Sequence, residues 1–182
     1  MYSIEEAKDL VHGLCQEEWY PRRFVGMGAF GAVFRTYDPG VALKITSDFS
    51  EAKLAHRLRH FKKDPPGIVR VYKLRTLQKV DRWGEGLWAI WREYARLSSY
   101  LPRGAANAIR EYIEDCEYRG PVEESINMIT EYKRGRVLGR TLKEFLDRGI
   151  FFADLRKDNM GIVKRRGKDA WVITDFGCWS SY

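Results

Sequence analysis

Apolar residues recur at helical spacing near the start of the chain, at Ile4, Ala7, Leu10, Val11 and Leu14, and predict an amphipathic helix from Ile4 to about Trp19 that packs on the sheet after it. From Phe24 to Tyr37 the positions alternate and are rich in β-branched and aromatic side chains, broken by three glycines, and Val41 to Thr46 is a short apolar run. Together these segments predict three strands. Ser50 is the expected N-cap of a second helix that reaches about Phe61, with Glu51 in its first turn and Leu54, Ala55, Leu58 and Phe61 as its apolar stripe. Asp64-Pro65-Pro66-Gly67 stops it, and Ile68 to Leu77 and Leu87 to Arg92 predict two more strands separated by a polar turn at Asp81 to Gly86.

After Tyr94 the period becomes helical, with segments at about Ala105 to Tyr118, Val122 to Tyr132 and Thr141 to Arg148, the last closed by Gly149 as a C-terminal cap. Two strands follow, Met160 to Val163 and Trp171 to Thr174, joined by a turn at Lys164 to Asp169. The expected class is α+β: a helix over residues 1–20, a sheet-rich segment over 21–94 with five strands and one helix, and a mostly helical segment over 95–182.

A hydrophobic content of 45%, 14% of the chain being aromatic, is enough to bury a core and argues against disorder. No run of about 18 apolar residues is present to span a bilayer, and Met1-Tyr2-Ser3-Ile4-Glu5-Glu6 lacks the basic and apolar regions of a signal peptide. A cytoplasmic location without membrane partners is the expectation. Cys15, Cys116 and Cys178 are odd in number and far apart, which argues against a disulfide framework and against a zinc site. The net charge of +7 has clusters at Arg22-Arg23, Lys62-Lys63, Lys133-Arg134 and Lys164-Arg165-Arg166. Interspersed Asp and Glu make these a solvated surface first, with nucleic acid a less favoured partner than nucleotide or protein.

Val25-Gly26-Met27-Gly28-Ala29-Phe30-Gly31-Ala32-Val33 brings three glycines into a segment where missing side chains let backbone N–H groups approach phosphate oxygens. A dinucleotide-binding turn would open a helix at Gly31, whereas Ala32 to Tyr37 continues as strand, so a glycine-rich hairpin is expected. Lys44 ends Val41-Ala42-Leu43-Lys44 on the next strand, and Glu51 on the following helix is placed to hold its ammonium by a charge-assisted contact. Further on, Asp154-Leu155-Arg156-Lys157-Asp158-Asn159 sets a carboxylate five residues before a carboxamide on a loop between a helix and a strand pair. Asp154 could accept a proton from an attacking hydroxyl while Asn159 offers a side-chain oxygen to a metal. Asp175, in Asp175-Phe176-Gly177 just after a strand, is a second candidate metal ligand.

In this order and on these elements, the glycine hairpin, strand lysine, helix glutamate, D-x-x-x-x-N and D-F-G resemble the protein kinase superfamily, of the serine/threonine type, over about Phe24 to Gly177. The resemblance implies a two-lobed kinase fold with a five-stranded antiparallel sheet and one helix in the first lobe and a shortened, mostly helical second lobe. It implies ATP and magnesium as cofactors. Gly26, Gly28, Gly31, Val33 and Ala42 would line the nucleotide, Lys44, fixed by Glu51, would hold its phosphates, and Glu93 and Ala95 would meet adenine through backbone groups in a hinge that follows Arg92. Asp154 would be the catalytic carboxylate, Asn159 and Asp175 the magnesium ligands, and Arg156 or Lys157 the cation on the transferred phosphoryl group.

The chain also departs from the family's pattern. Phe152-Ala153 stands where most members have His-Arg, so the arginine that receives a phosphorylated activation loop is missing and such control is not expected. A minimal form that ends just after Asp-Phe-Gly is the reading, with no activation segment or later helices. The apolar surface left by those helices would be covered by the first helix, by Trp179 with Tyr182, or by a second copy in a homodimer. The expected activity is transfer of the γ-phosphoryl group of magnesium ATP to a protein Ser or Thr hydroxyl, with Ser180, Ser181 and Tyr182 as autophosphorylation candidates. A small-molecule kinase and a kinase-like binding or inhibitory protein are the two alternatives. A compact phage or viral genome is one setting for so reduced an enzyme.

Overall fold

A computed structural model of the chain describes residues 3–61, 65–78, 86–97, 101–118, 122–177 and 179–181. Cys178, Tyr182, Lys62, Lys63, Asp64, the turn expected at 81–85 and the side chains of Trp179, Ser180 and Ser181 lie outside the described residues. The chain divides into two compact units, one of residues 1–64 and 70–94 and one of residues 65–69 and 95–182.

The first unit is built on a five-stranded antiparallel sheet, β1 Pro21–Gly28, β2 Gly31–Thr36, β3 Val41–Thr46, β4 Val71–Gln78 and β5 Leu87–Glu93, in the order β1-β2-β3-β5-β4. Residues directly opposite one another on neighbouring strands share a face. The pairs Leu43 with Trp91, Ile45 with Ala89 and Phe34 with Leu43 therefore set one apolar face. Helix α1, Ile4–Leu10, covers that face by inserting Ala7 and Val11 among Phe34, Leu43, Ile45, Ala89 and Trp91. Ser3 and Glu6 form a reciprocal capping box at its start.

The first helix is shorter than its apolar spacing predicts. It ends at Leu10 with Val11 as its C-cap, the left-handed φ of 70° at Gly13 keeps it from continuing, and only a short 3-10 turn at Glu17–Trp19 follows. Helix α2, Phe49–Arg59, begins two residues earlier than expected, because Asp48 rather than Ser50 is the N-cap; its carboxylate accepts from the N–H groups of Ser50 at 2.7 Å and Glu51 at 3.2 Å. Leu54, Ala55 and Leu58 are buried as the stripe requires, and α2 packs on β4 and β5.

The second unit holds α3 Arg103–Tyr118, α4 Val122–Glu131 and α5 Arg136–Leu146, packed in sequence order. Helix α5 starts five residues before the predicted Thr141 because Gly135 and Gly139 disguise it. Gly139 is a contact glycine: a Cβ there would lie 2.0 Å from Thr130 Oγ1 and 3.2 Å from Ile126 O on α4. The strands of this unit are β6 Arg96–Leu97, β7 Ile150–Phe152, β8 Met160–Arg165, β9 Lys168–Ile173 and β10 Trp179–Ser181. They form an antiparallel β6-β8-β9 sheet and a separate β7-β10 pair. The strand expected from Ile68 starts instead at Val71, because Ile68 bridges Ile173 in parallel and Val69 N–H donates to Ile173 O at 3.0 Å. Helix α5 ends at Leu146 with Asp147 as its C-cap, earlier than the expected closure by Gly149, which lies two residues further on at a left-handed φ of 68°.

In coarse architecture, a five-stranded antiparallel sheet with two helices followed by a mostly helical unit resembles a kinase-like fold. None of the described helices is long and apolar enough to cross a membrane.

Candidate functional site

Strands β1 and β2 form the expected hairpin, closed by the pair Gly28 with Gly31 around Ala29 and Phe30, with a register shift between Phe24 and Gly26. The three glycines serve different ends. A Cβ on Gly31 would lie 2.3 Å from Ile45 O and 3.0 Å from Thr46 Cα, so this glycine is required by the close approach of β2 to β3. At Gly26 and Gly28 a Cβ would meet nothing within 4 Å among the described residues, and neither has a left-handed φ. Packing and backbone conformation therefore do not require glycine at these two positions.

Lys44 pairs with Val33 on one side and Ile90 on the other, and Ala42 pairs with Arg92. Val33, Ala42, Lys44, Ile90 and Arg92 thus share the sheet face opposite the one that α1 covers. Over that face the first turn of α2 carries Glu51, 1% exposed, with Oε2 at 2.7 Å from Lys44 Nζ. Its other oxygen lies 3.9 Å from Arg92 Nη1. All three charged groups are buried, a setting in which ions persist only when paired. At the end of β5, Glu93 N–H donates to Arg70 O at 2.8 Å, and Glu93 Oε2 accepts from Arg70 N–H at 3.3 Å. Tyr94 N–H is taken by Gly40 O, and the Arg35 guanidinium lies 4.5 Å from the Tyr94 ring centroid. Ala95 belongs to the second unit, half-buried against Gly161, where a Cβ would lie 2.6 Å from that of Ala95.

In the second unit, Asp154 lies two residues after the end of β7, with Ala153 between. Phe152 is buried with its ring edge-on to Phe145 at 5.1 Å, and its N–H donates to the hydroxyl of Tyr112 on α3 at 3.2 Å. Burial raises the Tyr112 phenol above its ordinary range, so it stays protonated. Asn159 closes the loop: its Nδ2 donates to Asp154 O at 2.8 Å and to Asp154 Oδ2 at 2.9 Å. The other carboxylate oxygen of Asp154 lies 2.5 Å from Arg156 Nε. Arg156 is thus the cation of the loop that touches the carboxylate, whereas Lys157 makes no ion pair among the described residues.

Asp175, sixteen residues after Asn159, arrives from β9. Asn159 O accepts from Thr174 N–H at 2.8 Å and from Asp175 N–H at 3.4 Å, which sets the two residues side by side. Asp175 Oδ1 accepts from Gly177 N–H at 3.3 Å, and Phe176 is buried. Both Nδ2 contacts of Asn159 are to acceptor oxygens, so the orientation of the amide is fixed and Oδ1 is the atom left for a cation. A carboxamide oxygen beside a carboxylate suits a hard divalent ion. Among the described residues no group of three or more His, Cys, Asp and Glu is assembled as a metal cluster, so any cation here would take its remaining ligands from elsewhere, as magnesium does from water and phosphate.

Sequence reasoning passes over Tyr112 and over the Glu51–Arg92 contact. Tyr112 carries a readable signal, since it extends the buried stripe Ala105, Ala108, Ile109 at helical spacing. No protein-family model matches the chain, and no curated protein matches it at a significant level.

Proposed function

We propose that this protein is an ATP-dependent protein kinase that transfers the γ-phosphoryl group of magnesium ATP to a Ser or Thr hydroxyl. The observation that carries the reading is the convergence of Asp154, Asn159 and Asp175 through Asn159, whose amide binds the first and whose carbonyl binds the backbone of the last. A metal-dependent phosphoryl transfer needs a carboxylate for the acceptor's proton and oxygen ligands fixed beside it.

Asp154 orients the acceptor hydroxyl and takes its proton as the hydroxyl oxygen bonds to the γ-phosphorus and the bond to the ADP oxygen breaks. Asn159 and Asp175 would hold magnesium, which when bound neutralises phosphate charge. Lys44, kept in place by Glu51, binds phosphate oxygens. Gly26 and Gly28 leave backbone N–H groups approachable, Val33 and Ala42 provide an apolar wall, and backbone groups of Glu93 and Ala95 serve adenine. Arg156, against Asp154, is better placed than Lys157 to meet the transferred group. Ala153 before Asp154 supports activity without activation-loop phosphorylation.

The test is incubation of the purified protein with γ-labelled magnesium ATP, alone, with cell lysate and with small hydroxyl compounds. Asp154→Ala, Asp175→Ala and a chelator serve as controls. Label appearing on protein Ser or Thr and lost in all three controls is the expected result. Label on a small hydroxyl compound instead would replace the acceptor class, and no transfer to any acceptor would refute catalysis.

A further inference from the structure

Arg92 is 6% exposed on β5, an interior strand of the sheet and an unusual position for a guanidinium. Its Nη1 is buried and makes no hydrogen bond among the described residues, and Glu51 Oε1 lies 3.9 Å from it. Burial of a cation at such a distance is costly unless it serves a partner. The geometry around Glu51 is divided, with Lys44 at one carboxylate oxygen and Arg92 at the other. Both cations rise from the same sheet face, on adjacent strands, through the register that pairs Ala42 with Arg92 and Lys44 with Ile90.

We infer that Arg92 is a positioning residue, which holds the Glu51 carboxylate from the β5 side and through it keeps Lys44 set for phosphate before nucleotide arrives. The inference rests on the phosphoryl-transfer reading. Cations at both oxygens of a carboxylate restrict its rotation more than a cation at one of them does. Without Arg92, Glu51 and Lys44 spend part of their time in other arrangements. Apparent nucleotide affinity then falls by the fraction of protein that remains competent, while turnover of bound nucleotide is preserved.

Arg92→Met removes the charge and keeps most of the side-chain volume; Arg92→Lys returns a cation without the planar fork. If the competent fraction drops to about a tenth, KM for magnesium ATP rises about tenfold in Arg92→Met with kcat within about twofold. Arg92→Lys then recovers most of the affinity. Arg92→Gln replaces the methionine variant if the latter does not fold.

A second readout needs no catalysis. In nucleotide-free protein, a double-mutant cycle of Arg92→Met with Glu51→Gln in denaturant unfolding should be non-additive by about tenfold in the unfolding constant. Non-additivity below about twofold overturns the inference. So does a normal KM in Arg92→Met, or a failure of Arg92→Lys to recover affinity, when the wild-type protein is active. A wild-type protein that transfers no phosphate sinks the kinase reading instead, and the unfolding cycle then decides on its own whether Arg92 holds Glu51.

Discussion

Replacing Gly31 and Gly28 separately by alanine should divide the glycine hairpin into a structural and a ligand-facing part. At Gly31 the added Cβ falls 2.3 Å from Ile45 O and 3.2 Å from Ile45 C, both backbone atoms of the central strand β3. Ordinary contact begins near 3.4 Å, so β2 and β3 must part by about 1 Å, and overpacking of this kind costs about 1–3 kcal/mol. For a chain of this size each kcal/mol lowers the melting temperature by about 2–4 °C. Gly31→Ala is therefore expected to melt about 2–12 °C below the wild type.

Gly28→Ala meets no atom within 4 Å and needs no left-handed backbone. It should be neutral to stability, or stabilise by up to about 1 kcal/mol through a stiffer unfolded chain. On the proposed phosphoryl-transfer reading the same methyl group would stand in the path of a phosphate approaching the hairpin amides, so nucleotide binding should weaken about tenfold, equivalent to about 1.4 kcal/mol. Thermal unfolding and a nucleotide titration, run on both variants, check the two halves. Equal destabilisation by the two substitutions would refute the steric assignment. A stable Gly28→Ala variant that binds magnesium ATP like the wild type would refute the phosphate role of the hairpin.

Tyr112→Phe removes the acceptor that the buried Phe152 N–H uses two residues before Asp154; an unsatisfied buried amide costs about 1–3 kcal/mol, measurable as a lower denaturation midpoint, and an unchanged midpoint would show that the hydroxyl supports nothing. Burial pushes the Cys116 thiol up to about 11 from an ordinary value of 9.0, and Cys15 is raised for the same reason. A raised thiol pKa means less thiolate at any pH below it, so at pH 8 Cys116 should alkylate about a hundredfold more slowly than a free thiol and accelerate only as the pH approaches the raised value. Iodoacetamide labelling followed by peptide mass spectrometry reads this site by site. Rapid labelling of Cys116 in folded protein at pH 8 would contradict the burial.

Local pattern makes much of the fold legible. Alternation and glycine placement specify the β1-β2 hairpin, and the apolar run at Val41 to Thr46 specifies a strand that is buried throughout. The spacing of Lys44 and Glu51 across a strand-to-helix turn indicates the ion pair, because both ends of the contact lie within one supersecondary unit. What escapes the sequence depends on distant partners or on single backbone conformations. Strand β7 is three residues long and exists by pairing with 179–181, and no local signal marks either segment. Gly13 keeps α1 from continuing through a left-handed φ that the apolar spacing cannot register. Gly139 looks like a helix breaker and is instead what lets α5 approach α4. Residues 65–69 follow β9 through the Ile68–Ile173 bridge, which no periodicity reports. Arg92 follows the apolar run Leu87 to Trp91 and precedes Glu93, so its sequence context suggests the polar end of a strand rather than a buried charge facing Glu51.

The most direct test of phosphoryl transfer separates nucleotide binding from chemistry at Asp154. Asp154→Asn keeps the side-chain shape but cannot take the acceptor's proton, and removing a positioned general base costs about 10²–10⁴-fold in rate. A single-turnover experiment with γ-labelled magnesium ATP in excess protein should show wild-type transfer to a Ser or Thr hydroxyl. Asp154→Asn should show nucleotide affinity close to that of the wild type and transfer slower by at least about a hundredfold. Equal transfer rates in the two proteins would contradict the assignment of Asp154 and, with it, the account of this chain as a phosphotransferase.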